Sequence, residues 1–295
     1  DMVGEFPELQ GVMGAYYAAR DGEPESVVAA IRDQYKPAFA GDAIPSNQIG
    51  QVLAVAERLD TLAGIFAIGK KPSGNKDPFG LRRAALGLVR ILTEAPLDVA
   101  LAGLLDTAVN LQPVDIEDAQ ALCDDVLTFI TERARNHYRS IVSDDNALAI
   151  FEAVRASAPP TWFDFEQRLH AVVAFAALPE ANALAAANKR ISNLLKQTDL
   201  QAAREIDTSL FGSDEERTLH TAIDAAETDL KSMLAALDYQ AALMRLSQTR
   251  VPVDQFFDRV MVMADDVAVR NNRLALLAKL RGLFVEIADV SVLAG

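Results

Sequence analysis

Residues 47–67 read NQIGQVLAVAERLDTLAGIFA, and their apolar side chains recur at helical spacing. Alternating steps of four and three residues align one stripe along a helix, made of Ile49, Leu53, Ala56, Asp60, Ala63 and Ala67. Similar spacing continues through nearly the whole chain, and no convincing strand alternation interrupts it. The sequence therefore predicts an all-α fold.

The stripe places Asp60 among apolar residues, so we expect a buried carboxylate that needs hydrogen bonds or a cation. One interpretation is a metal ligand or an active-site acid. The other is a structural tie to a neighbouring backbone or to an arginine. The structural interpretation is favoured, because no histidine precedes His137 and the co-ligands of a metal are missing.

The composition fits helices in a reducing compartment. The 295 residues suffice for about two domains, and they are 51% apolar but only 6% aromatic. A single cysteine, Cys123, excludes an internal disulfide framework, and no signal peptide is visible, so a cytoplasmic location is expected. No uncharged apolar run reaches membrane-helix length. The chain opens at Asp1 without an initiator Met, so we expect a fragment of a longer protein.

Clusters of Gly, Pro, Asp and Ser mark the breaks between helices. The pair Pro159-Pro160 is the strongest boundary, because two prolines cannot continue a helix. A weaker boundary lies near Pro96, where charge changes sign. We therefore predict a first region at 1–95, an acidic helical connector at 96–159 and a final helical domain at 160–295.

Charge is unevenly distributed along the chain. The net charge is −14, with −6 over residues 1–60, +4 over 61–95, −7 over 96–160 and −5 over 161–295. One short basic stretch inside an acidic protein suits contact with a few defined phosphates better than broad electrostatic capture. An ordinary solvated helix face is the alternative interpretation.

The basic stretch contains a loop, GKKPSGNKDPFG at residues 69–80, followed by a helix. Asp77 is predicted to be the helix N-cap, and Pro78 suits the first helical position. Cations surround this helix start and, with free N–H groups, are suited to phosphates: Lys70, Lys71, Lys76, Arg82, Arg83 and Arg90. The pattern is not a Walker P-loop, because the Gly–Lys–Ser/Thr order is absent.

The last third of the chain carries a second group of polar side chains. A helix around residues 187–196 has a polar face formed by Lys189, Arg190, Asn193 and Lys196. Further on, Arg273 shares a helix face with leucines, so we expect it to pair with Asp258, Asp265 or Asp266 and to have a structural role. Met261 and Met263, close to Phe256 and Phe257, are predicted to pack in the core. The histidines His137, His170 and His220 are scattered, and none is assigned a metal or catalytic role.

Several stretches resemble the bacterial glycyl-tRNA synthetase β subunit. They are DMVGEFPELQG at residues 1–11, LDTLAGIF at 59–66 and KPSGNKDPFGLRRAA at 71–85. The first region is also similar to the tail of an HD domain, in which Asp60 matches the last metal-binding Asp. The His and His-Asp elements of that pattern are absent, so no hydrolase activity is implied.

The end of the chain resembles a helical anticodon-binding domain named after its Asp-Ala-Leu-Arg signature. The matching stretches are ANKRISN at residues 187–193, PVDQFFD at 252–258, VMVM at 260–263 and RNNRL at 270–274. Arginyl-tRNA synthetase shares this domain. The resemblance to the two families together covers nearly all 295 residues and is weakest over 96–160.

This resemblance implies part of an α2β2 glycine–tRNA ligase, in which β subunits recognise tRNA(Gly) and α subunits make glycyl-adenylate from glycine and ATP. ATP and Mg are then expected at the α subunit. No catalytic residue, metal or cofactor is assigned to this chain. Its hypothetical tRNA contacts are Lys70, Lys71, Lys76, Arg82 and Arg83 on the backbone, and Lys189, Arg190, Asn193 and Lys196 at the anticodon arm.

Three alternatives stay open at this point. The C-terminal domain of an arginyl-tRNA synthetase accounts for residues 160–295 but not for the stretch Asp77–Arg83. An HD-type phosphohydrolase would need a divalent metal near Asp60. A structural helical scaffold would bind the α subunit and not tRNA.

Overall fold

The computed structural model describes residues 5–39, 41–95, 97–141, 146–198 and 205–294. The first four residues of the opening stretch and the predicted boundary at Pro96 lie outside these ranges. The described residues form helices and no strand, and their single β-bridge, between Ser73 and Lys76, is isolated. The prediction of an all-α fold is confirmed.

The chain divides into two compact units. The first comprises Asp1–Val142 and Pro160–Phe163, and the second comprises Ser143–Pro159 and Asp164–Gly295. The segment predicted as a connector, 96–159, is thus shared between the units, because the apolar faces of its first helices pack on helices that precede them.

The first unit is built around one long central helix. A 3-10 turn at Pro7–Leu9 precedes α1 (Val12–Arg20), α2 (Glu25–Asp33), α3 (Gln48–Ala67), α4 (Leu81–Glu94), α5 (Leu101–Asn110) and α6 (Ala119–Ile141). Helix α3 contacts α2, α4, α5 and α6, so its buried face is at the centre of the unit. Leu62 of α3, Leu88 of α4 and Ile130 of α6 are fully buried there.

The predicted orientation of the α3 stripe is wrong. Ile49 is 50% exposed, Asp60 is also exposed, and the core side of α3 carries Ala54, Leu62 and Phe66 instead. Helix α3 is apolar around nearly its whole circumference, so spacing alone did not identify the buried face. Asp60 accepts a hydrogen bond from Gln112 Nε2 at 3.0 Å and so links α3 to the chain after α5.

The second unit contains the remaining helices. They are α7 (Ala147–Arg155), α8 (Trp162–Ala176), α9 (Ala181–Gln197), α10 (Asp214–Ala235), α11 (Tyr239–Ser247), α12 (Arg250–Arg259) and α13 (Val267–Val285), with 3-10 turns at Thr208–Leu210 and Val290–Leu293. Helix α13 packs against α9, α10 and α11. Its leucines Leu274, Leu277 and Leu280 are fully buried and form the centre of the unit.

A buried ion pair joins α10 to α13. Ser213 and Glu216 form a capping box at the start of α10, and the fully buried Glu216 carboxylate also accepts a hydrogen bond from Arg273 Nε at 2.8 Å. Arg273 donates further to the Met261 carbonyl at 2.8 Å. The structural role of Arg273 is therefore as predicted, but its partner is Glu216, which lies 57 residues away in sequence rather than nearby.

The environment of Glu216 favours its charged form. Burial alone would raise the pKa of this carboxyl, but the hydrogen bonds and charge of Arg273 and the backbone N–H groups of Gly212 and Ser213 outweigh burial. The net effect holds the pKa of Glu216 below its ordinary value.

No single helix in the described part of the chain is long and apolar enough to cross a membrane. The pair α8 and α9, bent by 112°, passes that test on length and composition alone. Both helices bury apolar residues inside the second unit, among them Leu169 and Leu184.

We predict that Glu216→Gln lowers the free energy of unfolding at pH 7 by about 3 kcal/mol, because it leaves a largely buried Arg273 without a carboxylate. A carboxylate with a lowered folded-state pKa stabilises above its unfolded pKa of about 4.3, and the effect is lost as pH falls through the folded value. The difference between variant and wild type should therefore shrink as pH falls below about 4.3.

Urea unfolding at pH 7 and at pH 3 measures both effects. The matched control is Glu215→Gln, which removes the neighbouring carboxylate that pairs with Arg259 at the surface and should unfold close to wild type. Equal stability of the two variants at pH 7 would contradict the assigned role of Glu216.

Candidate nucleic-acid interface

The first candidate surface, the loop patch, is formed by the predicted cations Lys70, Lys71, Lys76, Arg82 and Arg83. It lies in the first unit, on the loop before α4 and on the first turn of that helix. The second, the helix patch, is formed by Lys189, Arg190, Asn193 and Lys196 on α9 of the second unit.

The start of α4 is fixed by Asp77 from outside the helix. The helix begins at Leu81, and its N-cap is Gly80 with φ of 66°, a left-handed conformation that suits glycine. The two Asp77 carboxylate oxygens accept from the backbone N–H groups of Leu81 and Arg82, both at 2.9 Å. Asp77 therefore accepts hydrogen bonds from the helix start, as predicted, but the N-cap position itself is occupied by Gly80. Pro78 lies in the turn before the helix.

This capping changes how a phosphate could bind. The expectation that free N–H groups at this helix end would hold an anion is wrong for Leu81 and Arg82, because the Asp77 carboxylate already occupies both donors. These two backbone donors are therefore unavailable to an anion at the loop patch.

The five cations of the loop patch differ in whether they already contact other groups of the protein. Lys71 pairs with Asp125 of α6 and lies 5.6 Å from the centre of the Phe66 ring, and Arg82 donates to the Gly74 carbonyl and so anchors the loop. The other three form no ion pair with any described residue and are exposed to solvent: Lys70, Lys76 and Arg83. Because exposed ion pairs are weak, Lys71 also stays available to a phosphate.

The helix patch lies on the outer face of α9. Asn188 is buried and Ile191 packs inward, whereas all four predicted residues are exposed, as their spacing predicted. Lys189 Nζ donates to the Ala294 carbonyl at 2.7 Å. The Arg190 guanidinium lies over the Phe257 ring of α12, 4.2 Å from the ring centre. This contact is within the range of a cation–π interaction.

Residues 256–263 were only partly interpreted correctly from sequence. Phe256 is fully buried, but the partly exposed Phe257 supports Arg190, and Met261 is 74% exposed. Neighbouring residues on a helix point about 100° apart, so two adjacent phenylalanines need not both face the core. This offset is the sequence feature that could have indicated that Phe257 faces outward.

Metal and nucleophile chemistry finds no support in the described part of the chain. Within it, no group of three or more His, Cys, Asp or Glu side chains is arranged to hold a metal ion. Burial and the nearby carboxylates of Asp106 and Asp124 raise the pKa of the Cys123 thiol, which disfavours the reactive thiolate.

Two family models match the chain. The model described as "Glycyl-tRNA synthetase beta subunit" matches residues 1–154, which include most of the first unit and most of α7. The model described as "DALR anticodon binding domain" matches residues 184–289, which includes the helix patch and the Glu216–Arg273 pair. The arginyl-tRNA synthetase alternative does not account for the first match.

Curated relatives carry the name "Glycine--tRNA ligase beta subunit". The relative from Pseudomonas aeruginosa strain PAO1 is 49% identical over 293 residues, and that from Chromohalobacter salexigens is 49% identical over 294. The relative from Pseudomonas fluorescens is 47% identical over 294 residues. These alignments cover 99–100% of this chain but only 42% of each relative, so the chain spans less than half of their length.

We predict that Asp77→Ala weakens the start of α4 by about 1 kcal/mol, because two backbone N–H groups lose their acceptor. Amide hydrogen exchange at Leu81 and Arg82 should accelerate about fivefold. Asp77→Asn keeps an acceptor oxygen and should change exchange less. Exchange in Asp77→Ala that matches wild type would show that the carboxylate does not cap α4.

Proposed function

This chain belongs to the glycyl-tRNA synthetase beta subunit family, and we propose that it is the tRNA-binding part of a glycine–tRNA ligase β subunit. The ligase would attach glycine to tRNA(Gly) with ATP. The observation that carries the proposal is the position of the helix patch, which lies inside the match to an anticodon-binding domain and presents exposed cations.

In this proposal, the helix patch approaches the anticodon arm. Single-stranded RNA bases are recognised by stacking on aromatic rings or on the plane of an arginine. Arg190 lies over the Phe257 ring and is exposed to solvent, which suits it to receive an unstacked base. Lys189 and Lys196 would contact phosphates on either side, and Asn193 offers both a donor and an acceptor.

The loop patch would contact the tRNA backbone through Lys70, Lys71, Lys76, Arg82 and Arg83. Support comes from the concentration of positive charge in a chain with a net charge of −14. The acidic surroundings would repel RNA that does not align with the patch, and so would favour a defined register over general attraction. Arg82 would act partly through the loop that it anchors at Gly74.

The catalytic centre would be supplied by the rest of the holoenzyme. We assign it no catalytic residue, and we expect ATP and Mg at the catalytic α subunit, with two α and two β subunits in the complex. The name of the relatives as a β subunit supports an α partner.

A scaffold that docks the α subunit without touching RNA is the second candidate. One observation favours it: α3 and α5 border an apolar groove of about 430 Å³ that includes Val52 and Leu111. Binding to α subunit with no measurable binding to tRNA would select this candidate.

We predict that neutralising one phosphate-contacting cation reduces the salt dependence of tRNA(Gly) binding. Arg83→Gln in the loop patch and Lys196→Gln in the helix patch should each weaken binding and lower the slope of log K against log salt by about 0.7–0.9, because each removes one counterion-releasing contact. Fluorescence anisotropy across a salt series measures both quantities.

The matched controls are Arg20→Gln in the first unit and Lys231→Gln in the second, exposed cations outside both patches. They should leave the slope near wild type. Patch variants that are indistinguishable from these controls would show that the RNA contacts are placed wrongly.

A further inference from the structure

Phe79 stands out within the loop before α4. It belongs to the stretch Asp77–Arg83 that carries much of the family resemblance, yet it is 47% exposed and is not part of the core. A large apolar side chain at the surface costs hydration free energy that burial would recover. The residues around Phe79 therefore indicate which kind of ligand its exposed ring could contact.

Phe79 lines an open cavity of about 250 Å³ in the first unit. A second aromatic residue, Tyr35, lies on the same cavity and is 37% exposed. Drug-sized ligands occupy pockets of roughly 300–1,000 Å³. The smaller volume here suits a single planar group about the size of a nucleobase.

Two arginines, Arg58 and Arg83, line the cavity together with one carboxylate, Glu57. Arg58 is 5% exposed, and its guanidinium donates to backbone carbonyls, including those of Gln34 at 3.1 Å and Lys36 at 2.8 Å. The Glu57 carboxylate forms a longer ion pair with Arg58, at 3.9 Å, which is beyond hydrogen-bond distance. Arg83 of the loop patch also lines the cavity and pairs with no carboxylate in the described part of the chain.

The turn that carries Tyr35 is held in place from two sides. Arg58 donates to the Tyr35 carbonyl at 3.2 Å. Next to it, the buried Asp33 carboxylate accepts from Ser46 Oγ at 2.7 Å and from Lys36 Nζ at 3.1 Å. Burial opposes the charge of Asp33, but these hydrogen bonds outweigh it and lower its pKa to about 2. The backbone turn that carries the Tyr35 ring is therefore held in place without a bound ligand.

Polar groups complete the lining. The Thr61 hydroxyl and the Glu57 carboxylate lie on the cavity wall, 3.4 Å from one another. The cavity lining thus combines two aromatic side chains, the Arg83 cation and hydrogen-bonding groups. An unpaired RNA base is recognised by such a set, because it needs stacking partners, edge contacts and a phosphate contact.

We propose that this cavity holds one unstacked nucleotide of tRNA, with its base against Phe79 and Tyr35 and its phosphate beside Arg83. The inference rests on the proposed function and adds a site outside the anticodon-binding match. It assigns the loop patch a role in recognising a single-stranded part of the RNA in addition to attracting phosphates.

The test compares tRNA(Gly) binding by Phe79→Ala, Tyr35→Ala and the control Tyr17→Ala. Tyr17 is an aromatic residue that is somewhat more exposed, at 54%, and does not line the cavity. Each cavity variant should weaken binding roughly 5-fold to 150-fold, the effect expected for loss of one stacked base. The salt slope should stay at the wild-type value, because a ring releases no counterions.

Phe79→Leu keeps apolar surface and removes only the aromatic ring, so it should lose most of the same affinity with the fold intact. Ultraviolet crosslinking of wild type to tRNA(Gly), followed by mass spectrometry, should give an adduct on Tyr35 or Phe79. Tight tRNA(Gly) binding with Phe79→Ala and Tyr35→Ala equal to Tyr17→Ala would overturn the cavity site alone. No binding of tRNA(Gly) by wild type would overturn the proposed function as well.

Discussion

The Asp77 carboxylate is the contact on which the first unit's surface depends. By accepting from the N–H groups of Leu81 and Arg82, it sets the residue at which α4 begins. That start determines where Phe79 and Arg83 lie relative to the cavity, and it also removes two backbone donors from competition for an anion. The side chains at this surface are therefore held in a defined arrangement, which favours one ligand over phosphates in general.

In the second unit, a buried contact likewise fixes the geometry of the helices. The buried Glu216–Arg273 pair joins the start of α10 to α13, and its hydrogen bonds leave little freedom in how these helices meet. Breaking a buried pair costs more than the pair contributes, so such a contact specifies geometry above all. On the surface, the Phe257 ring supports the Arg190 guanidinium, 4.2 Å from the ring centre.

Helical spacing was enough to predict the all-α fold and the exposed face of α9, because both depend on local periodicity. It did not orient α3, whose apolar residues surround the helix, so Asp60 was placed on the wrong face. It also could not find the partner of Arg273, since Glu216 is distant in the chain and only tertiary packing brings the two together. The cavity beside Phe79 was not visible for the same reason: its lining comes from four separate parts of the first unit. The likeness of residues 1–95 to an HD domain stays a prediction.

An acidic chain that binds a polyanion must do so through a few well-placed cations, and we propose that this family member binds tRNA in that way. The most direct test is a salt titration of the purified chain with tRNA(Gly) and, in parallel, with a non-cognate tRNA. We expect binding that weakens as salt rises and that prefers tRNA(Gly) at every salt concentration. Absence of binding to either tRNA at low salt would contradict it and would leave the chain as a scaffold for the rest of the enzyme.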